Sequence, residues 1–325
     1  MPLPAIGSPM LATLIDEPFD DRAWLFETKW DGVRALCTVL ENGRVSMISR
    51  NGHDLLGQFP EFAGLGHVFG GLPAVFDGEI ISLDDRGLSS FQRLQARLNR
   101  QRPGSALVRS VPTKFEVFDM LCAKGKDVRS LTLDERKALL RKALPRSSRV
   151  RFSAFRVGAG RAMFERAKRL GWEGIIGKRR ASAYRSGRSR EWVKIKTVLE
   201  QEFVIGGWTD PRGSRAHFGS LLLGYYDAAG ALQYAGQVGT GFNEALLDAL
   251  SAKLAGLATS RCPYAGAPNT RERAHWVRPQ LVAEIKFGEW TRDGSLRQPV
   301  FLGLRADKKP KDVGRERPAH SGERA

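Results

Sequence analysis

Cysteine is scarce in this chain. Cys37, Cys122 and Cys262 are scattered over 325 residues, and no pair has the spacing of a metal knuckle or a disulfide framework. Cys37 lies in the apolar run Ala35-Leu36-Cys37-Thr38-Val39-Leu40 and reads as a small core residue. Long apolar runs are also missing. Nothing approaches the ~18 uninterrupted residues of a membrane span, and the segment Met1 to Met10 has neither a basic cluster nor an apolar core of leader type. A soluble, cytosolic protein is expected, with no membrane attachment. No internal repeat is visible. Acidic residues are the minority: 35 Asp plus Glu against 52 Lys plus Arg, a net charge of +17. This basic excess is spread along the chain rather than gathered in a tail, so it points to folded surfaces that meet a polyanion.

What is present is enough for two domains. Hydrophobic residues make up 42% of the chain, and its length suggests two cores. The first two thirds alternate short strands with helices. Ser89-Ser90 precede an amphipathic run with Phe91, Leu94 and Leu98. Thr132 and Glu135 form a capping-box pattern. The 161–170 stretch is helical in pattern and closes at Gly171, expected in a left-handed cap. An α+β domain is therefore expected over residues 1–197. A linker over 197–201 follows. Residues 202–308 read as short strands with glycine-rich turns around one helix, capped by Asn243 and carrying Leu246, Leu247, Leu250 and Leu254. That pattern suggests a small β-barrel of the OB-fold kind. Residues 309–325 are rich in Pro, Gly and charge and read as a disordered basic tail.

The chemistry gathers around Glu27-Thr28-Lys29-Trp30-Asp31-Gly32-Val33-Arg34. Trp24 to Trp30 reads as a strand that runs into a turn at Asp31-Gly32. A lysine is thus presented at a sheet edge between carboxylates, with a guanidinium five residues on. Such a lysine suits attack on phosphorus, provided it loses its proton. Only on the order of 0.1% of a free lysine is neutral near pH 7.4, so burial, nearby cations or a metal would have to expose the lone pair. Further along, Arg190-Glu191-Trp192-Val193-Lys194-Ile195-Lys196 alternates with period 2, which puts Lys194 and Lys196 on one strand face.

Taken with Ser49-Arg50-Asn51-Gly52, Phe76-Asp77-Gly78-Glu79, Phe115-Glu116-Val117-Phe118-Asp119, Glu173-Gly174-Ile175-Ile176-Gly177-Lys178 and Leu302-Gly303-Leu304-Arg305-Ala306-Asp307-Lys308, this segment resembles an ATP-dependent DNA ligase of the covalent nucleotidyltransferase superfamily. More narrowly, the chain is similar to the ligase module of bacterial end-joining enzymes of the ligase D type. The segments occur in the family's order, and the resemblance runs from Pro9 to about Lys308. It implies an adenylation domain followed by an OB-fold domain. The family has tyrosine frequently where Trp30 stands, and bulkier residues where Gly177 stands.

The resemblance also implies roles. Lys29 would be the nucleophile that becomes adenylylated. Glu27 would read the adenine amino group, Asp31 would orient the sugar side and Arg34 would hold the ribose. Arg50 would lie near the nucleotide and the nicked 5′ phosphate. Glu79 would face the ribose and a metal, and Glu173 would be the chief ligand of Mg²⁺ or Mn²⁺. An aromatic ring would stack on adenine, assigned to Phe118, with Phe115 as the alternative if the strand register differs. Arg190 would contact the nucleotide, while Lys194 and Lys196 would face the α-phosphate. Arg305 and Lys308 would orient the pyrophosphate leaving group.

The implied partner is nicked or broken double-stranded DNA, gripped through its phosphates. The loop Thr209-Asp210-Pro211-Arg212-Gly213-Ser214-Arg215 is a candidate contact. A monomer is expected, serving with a Ku-like end-binding protein or a repair polymerase on a separate chain. No room is evident for the large N-terminal DNA-binding domain of eukaryotic ligases, for appended polymerase or nuclease modules, or for the zinc site of NAD-dependent ligases. The competing readings are an RNA ligase or other covalent nucleotidyltransferase, such as a GTP-using capping enzyme, and a catalytically silent nucleic-acid-binding module.

Overall fold

The computed structural model describes residues 7–317 except 70–72, 99, 145–146, 212–216 and 292. The chain separates into a first compact unit that ends at Thr197 and a second that spans Val198–Glu316. No helix among the described residues is long and apolar enough to cross a membrane.

The first unit is built on two sheets. One carries, in order, the strands Met10–Leu14, Gly187–Lys196, Gly174–Arg179, Trp24–Thr28 and Phe155–Val157. The other runs Val45–Ser49, Val33–Val39, Ala74–Ser82, Thr113–Ala123 and Lys126–Asp127, with Val150–Phe152 parallel to Thr113–Ala123. Alternation along the strands gives each sheet two apolar faces. Between the sheets, Met10, Tyr184 and Trp192 meet Leu36, Val75, Phe118 and Leu121. Behind the first sheet, Met163, Phe164 and Ala167 of the helix Gly160–Leu170 cover Phe26, Ile175 and Ile195. Behind the second, Phe91, Leu94 and Leu98 of one helix and Leu140 of another cover Val33, Ala35, Cys37, Phe76 and Phe115. Each fully buried Val, Leu, Ile, Phe or Met among these contributes roughly 1.5–3 kcal/mol of burial energy.

Local signals place the helices. Thr132 and Glu135 make the reciprocal capping box ahead of Leu133–Ala143, and Gly171 closes Gly160–Leu170 in the left-handed conformation at φ 72°. Asn243 accepts from the Leu246 N–H at the start of Glu244–Ala255.

The second unit is the OB-fold domain. Its antiparallel sheet follows the order Leu232–Val238, Leu221–Tyr226, Leu199–Thr209, Ala274–Phe287, Ala258–Thr259, and Val300–Leu304 pairs with Ala274–Phe287. Leu247, Leu250 and Leu254 of the helix Glu244–Ala255 pack into its core with Phe203, Leu221, Ile285 and Phe301.

Two expectations need correction. The linker is shorter than 197–201: the strand Leu199–Thr209 has already begun, and Leu199, Glu200 and Gln201 pair with Phe287, Lys286 and Ile285. Only residues 197–198 form the bend, because the backbone groups from Leu199 onward are paired with a strand distant in sequence. The tail is ordered further than its composition implies. Val313 is buried, its carbonyl accepts from the Tyr226 N–H at 2.7 Å, and the Gln201 amide donates to the Gly314 carbonyl at 3.1 Å. Residues 318–325 of the expected tail lie outside the described residues. Asp77 and Gly78 lie in the middle of the strand Ala74–Ser82.

Candidate active site

Period 2 in the first sheet assembles the site. Glu27 stands opposite Ile176, and Ile176 opposite Lys194. Lys178 stands opposite Trp192, and Gly174 opposite Lys196. These residues share the sheet face that looks toward the second sheet, as Lys178 and Trp192 do through the Phe118 ring. Val193 and Ile195 point the other way and are buried. The expected shared face of Lys194 and Lys196 is thus the face that carries the other motif groups.

Lys29 sits just beyond its strand, which ends at Thr28 rather than Trp30. The Lys29 N–H donates to the Gly174 carbonyl at 3.0 Å, and its ammonium is ion-paired with Glu173. Gly174 is required there, since a Cβ would lie 2.2 Å from the Ile195 carbonyl oxygen. Gly32 is needed for the same reason, with the Ile80 carbonyl 2.2 Å from where its Cβ would be. Asp31 anchors the turn after the nucleophile: its carboxylate accepts from the Phe91 N–H at 2.8 Å and caps the helix Phe91–Leu98. Asp31 and Glu173 also hold carboxylate oxygens within 4.8 Å of each other. Glu79 is not in that group. It lies opposite Arg34 and Glu116 in the second sheet.

Arg34 makes a two-pronged bond to Asp77, at 2.9 and 2.6 Å. The Tyr184 hydroxyl donates to the same carboxylate at 2.7 Å and accepts from the Met10 N–H at 3.0 Å. Burial disfavours the charge on Arg34, yet Asp77 and Tyr184 outweigh it and hold the guanidinium pKa above its ordinary value. Its planar end lies 5.1 Å from the Phe118 ring centre. Phe115 is buried in the core on the opposite face of the same strand, so Phe118, not Phe115, belongs to the face between the sheets.

Glu27 is 2% exposed and ion-paired with two lysines, Lys137 and Lys178. Ser153 links it outward, donating to Glu27 at 3.4 Å and accepting from the Trp30 indole at 3.1 Å. Burial pulls the Lys178 pKa down to about 8, against the opposing pull of Glu27. Lys178 stood in a quoted motif without a role, although period 2 from Ile176 puts it on the site face. Lys137 follows the capping box of Thr132 and Glu135, which marks a helix start and says nothing of the site. It lies mid-helix, and only the fold brings it to Glu27.

Arg50 lies in the turn after Val45–Ser49, and Arg190 is exposed on Gly187–Lys196. Arg305 and Lys308 belong to the second unit. Arg305 is enclosed by Asp307 and Glu284, each at 2.8 Å, and Lys308 pairs with Glu202 at 2.6 Å. In the candidate DNA loop, Asp210 bonds His275 at 2.6 Å, while Arg212, Gly213, Ser214 and Arg215 lie outside the described residues.

Comparison with known proteins places the chain among relatives. Residues 9–196 match the ATP dependent DNA ligase domain, and residues 214–308 match the ATP dependent DNA ligase C terminal region. The multifunctional non-homologous end joining protein LigD of Pseudomonas aeruginosa is 42% identical over 98% of this chain and 38% of its own length. LigD of Mycobacterium tuberculosis strain H37Rv is 38% identical over 90% of this chain and 37% of its own. The chain therefore spans under two fifths of the length of these curated relatives. A solved structure described as mycobacterial DNA ligase D complexed with ATP and MES superposes with a TM-score of 0.69, at 36% identity, over 95% of this chain and 98% of that one. With one family domain spanning more than half of it and the companion domain following in order, the chain belongs to the ATP-dependent DNA ligases.

Proposed function

We propose that the protein seals nicks in double-stranded DNA through a covalent lysyl-AMP, and that it serves end-joining repair. In the first step the neutral Lys29 amine attacks the α-phosphorus of ATP. A P–N bond forms, the P–O bond to pyrophosphate breaks, and the amine proton passes to solvent. In the second step AMP moves to the 5′ phosphate at the nick and Lys29 is released. In the third the 3′ hydroxyl attacks that phosphate, AMP leaves and the strand is joined. The observation that carries this reading is the placement of Lys29 beside Glu173, on the sheet face that also bears Lys194, Lys196 and Glu27.

The chain's own residues mainly position and neutralise charge. Lys194 and Lys196 face the α-phosphate, Arg34 the ribose, Glu27 and Phe118 the base, with Arg50, Glu79 and Arg190 around the nucleotide. Asp31 and Glu173 fit a hard divalent cation, Mg²⁺ or Mn²⁺, because such ions take one or two carboxylates beside phosphate oxygens. When bound, the ion supplies neutralisation of phosphate charge. Arg305 and Lys308 serve pyrophosphate departure. DNA is gripped through its backbone, so binding weakens steeply with salt. The LigD relatives are named for end joining, which supports broken DNA as substrate; a Ku-like protein is the partner this reading proposes.

The test is incubation with ATP or GTP labelled at the α phosphate, peptide mapping of the adduct, and sealing of nicked DNA or RNA duplexes. The reading expects AMP on Lys29 and joining of DNA. No adduct, a GMP adduct, or sealing of RNA alone would overturn it.

A further inference from the structure

Glu27 has more positive charge around it than neutrality needs. Lys137 comes from the helix Leu133–Ala143 and Lys178 from the strand Gly174–Arg179, and they meet opposite oxygens of the carboxylate. All three side chains are nearly sealed from water, at 2%, 3% and 2% exposed for Glu27, Lys137 and Lys178. A single lysine would balance the charge. A second buried ammonium adds desolvation cost, so the arrangement is not explained by stability alone.

We propose that Lys137 and Lys178 are positioning residues that hold the Glu27 carboxylate toward the nucleobase, and so set the preference for adenine over guanine. The inference rests on the reading of Glu27 as the base-recognition group.

A glutamate held at one oxygen can still swing about its side-chain torsions. Held at both oxygens from two separate elements, with the Ser153 hydroxyl at 3.4 Å, its plane is set. Each carboxylate oxygen has two lone pairs, so room remains for one further donor. The adenine edge offers an amino group. The guanine edge offers a carbonyl at the same place, which the carboxylate repels.

The lysines are themselves confined. The Lys178 ammonium lies 4.2 Å from the Phe118 ring centre and 4.1 Å from that of Trp192. Lys137 lies 4.9 Å from Phe152 and 5.3 Å from Phe155. Cation–π contacts of this kind keep an ammonium from following a passing phosphate. Both lysines therefore stay on Glu27 rather than turning to the guanine carbonyl. Lys137 reaches the base only through Glu27.

Adduct formation with labelled ATP and GTP, measured over a range of nucleotide concentration on the full chain, tests this. Lys137→Met is expected to raise KM for ATP about tenfold, because it removes one buried ion-pair contact to the carboxylate, with the effect on KM rather than kcat. The preference for ATP over GTP should fall by a similar factor, and Lys137→Arg should restore most of both. A Lys137→Met protein that melts earlier but keeps the wild-type KM and preference would overturn the proposal. If that variant does not fold, Lys137→Gln carries the same readings. Glu27→Gln separates the two failures. If it leaves the ATP preference intact while wild type forms the AMP adduct, the base-reading role of Glu27 falls and this inference with it. If wild type forms no adduct, the ligase reading itself falls.

Discussion

The two units treat buried charge in opposite ways. In the first, cations and carboxylates line one face between two sheets: Lys29 with Glu173, Arg34 with Asp77, and Glu27 with Lys137 and Lys178. Around Glu27 the cations outnumber the carboxylate. In the second, Arg305 is outnumbered by Asp307 and Glu284. Burial disfavours its charge, but these acids outweigh it and hold its pKa well above the ordinary value. A family motif thus reads the same in sequence whether its side chain faces a ligand or is bound by its own domain. In this structure Arg305 has the second condition.

That contrast can be broken at its strongest point first. Lys29→Ala should reduce AMP adduct formation to below detection, read by intact mass after incubation with ATP and magnesium. It should leave the fold in place, because Lys29 is 19% exposed and its loss frees Glu173 at a partly open site. A variant that still carries AMP would place the nucleophile elsewhere.

Next in size is Arg305→Ala. It strands two nearly buried carboxylates, so it should destabilise the second unit by about 3–5 kcal/mol, measured by urea unfolding. Lys308→Ala, at a pair 15% and 21% exposed, should cost under ~1 kcal/mol. Equal costs would mean that the carboxylates around Arg305 do not hold it.

The smallest effect concerns Lys178. Its folded pKa, about 8, lies below the ordinary value of 10.5. Between these values the unfolded chain binds more protons than the folded one, so this group's contribution to stability rises with pH across that window. Denaturation at intervals from pH 8 to 10 should show a steeper rise for wild type than for Lys178→Met. Identical slopes would mean that burial does not govern this lysine.

Much of the molecule was legible beforehand. The capping box at Thr132, the left-handed Gly171 and the Asn243 cap are local, and local chemistry decided them. The period-2 reading of Lys194 and Lys196 held because strand geometry depends on little else. Failures occurred where pairing partners were distant. Leu199 to Gln201 looked like a linker because Phe287 and Ile285 are far off in sequence. Pro310 to Glu316 looked disordered because its composition does not reveal that Val313 has a buried seat beside Tyr226.

The amino-acid order by itself determined the motif lysine, the residue types around it and their sequence on the chain, because reactive chemistry is written in side chains. It also determined the helix ends, which need only their own neighbours. The tertiary structure alone decided that Lys137 joins Lys178 at Glu27, that Phe118 and not Phe115 faces the site, and that Arg305 is held by its own domain. Those outcomes depend on which faces of two sheets are turned toward each other, and long-range packing sets that.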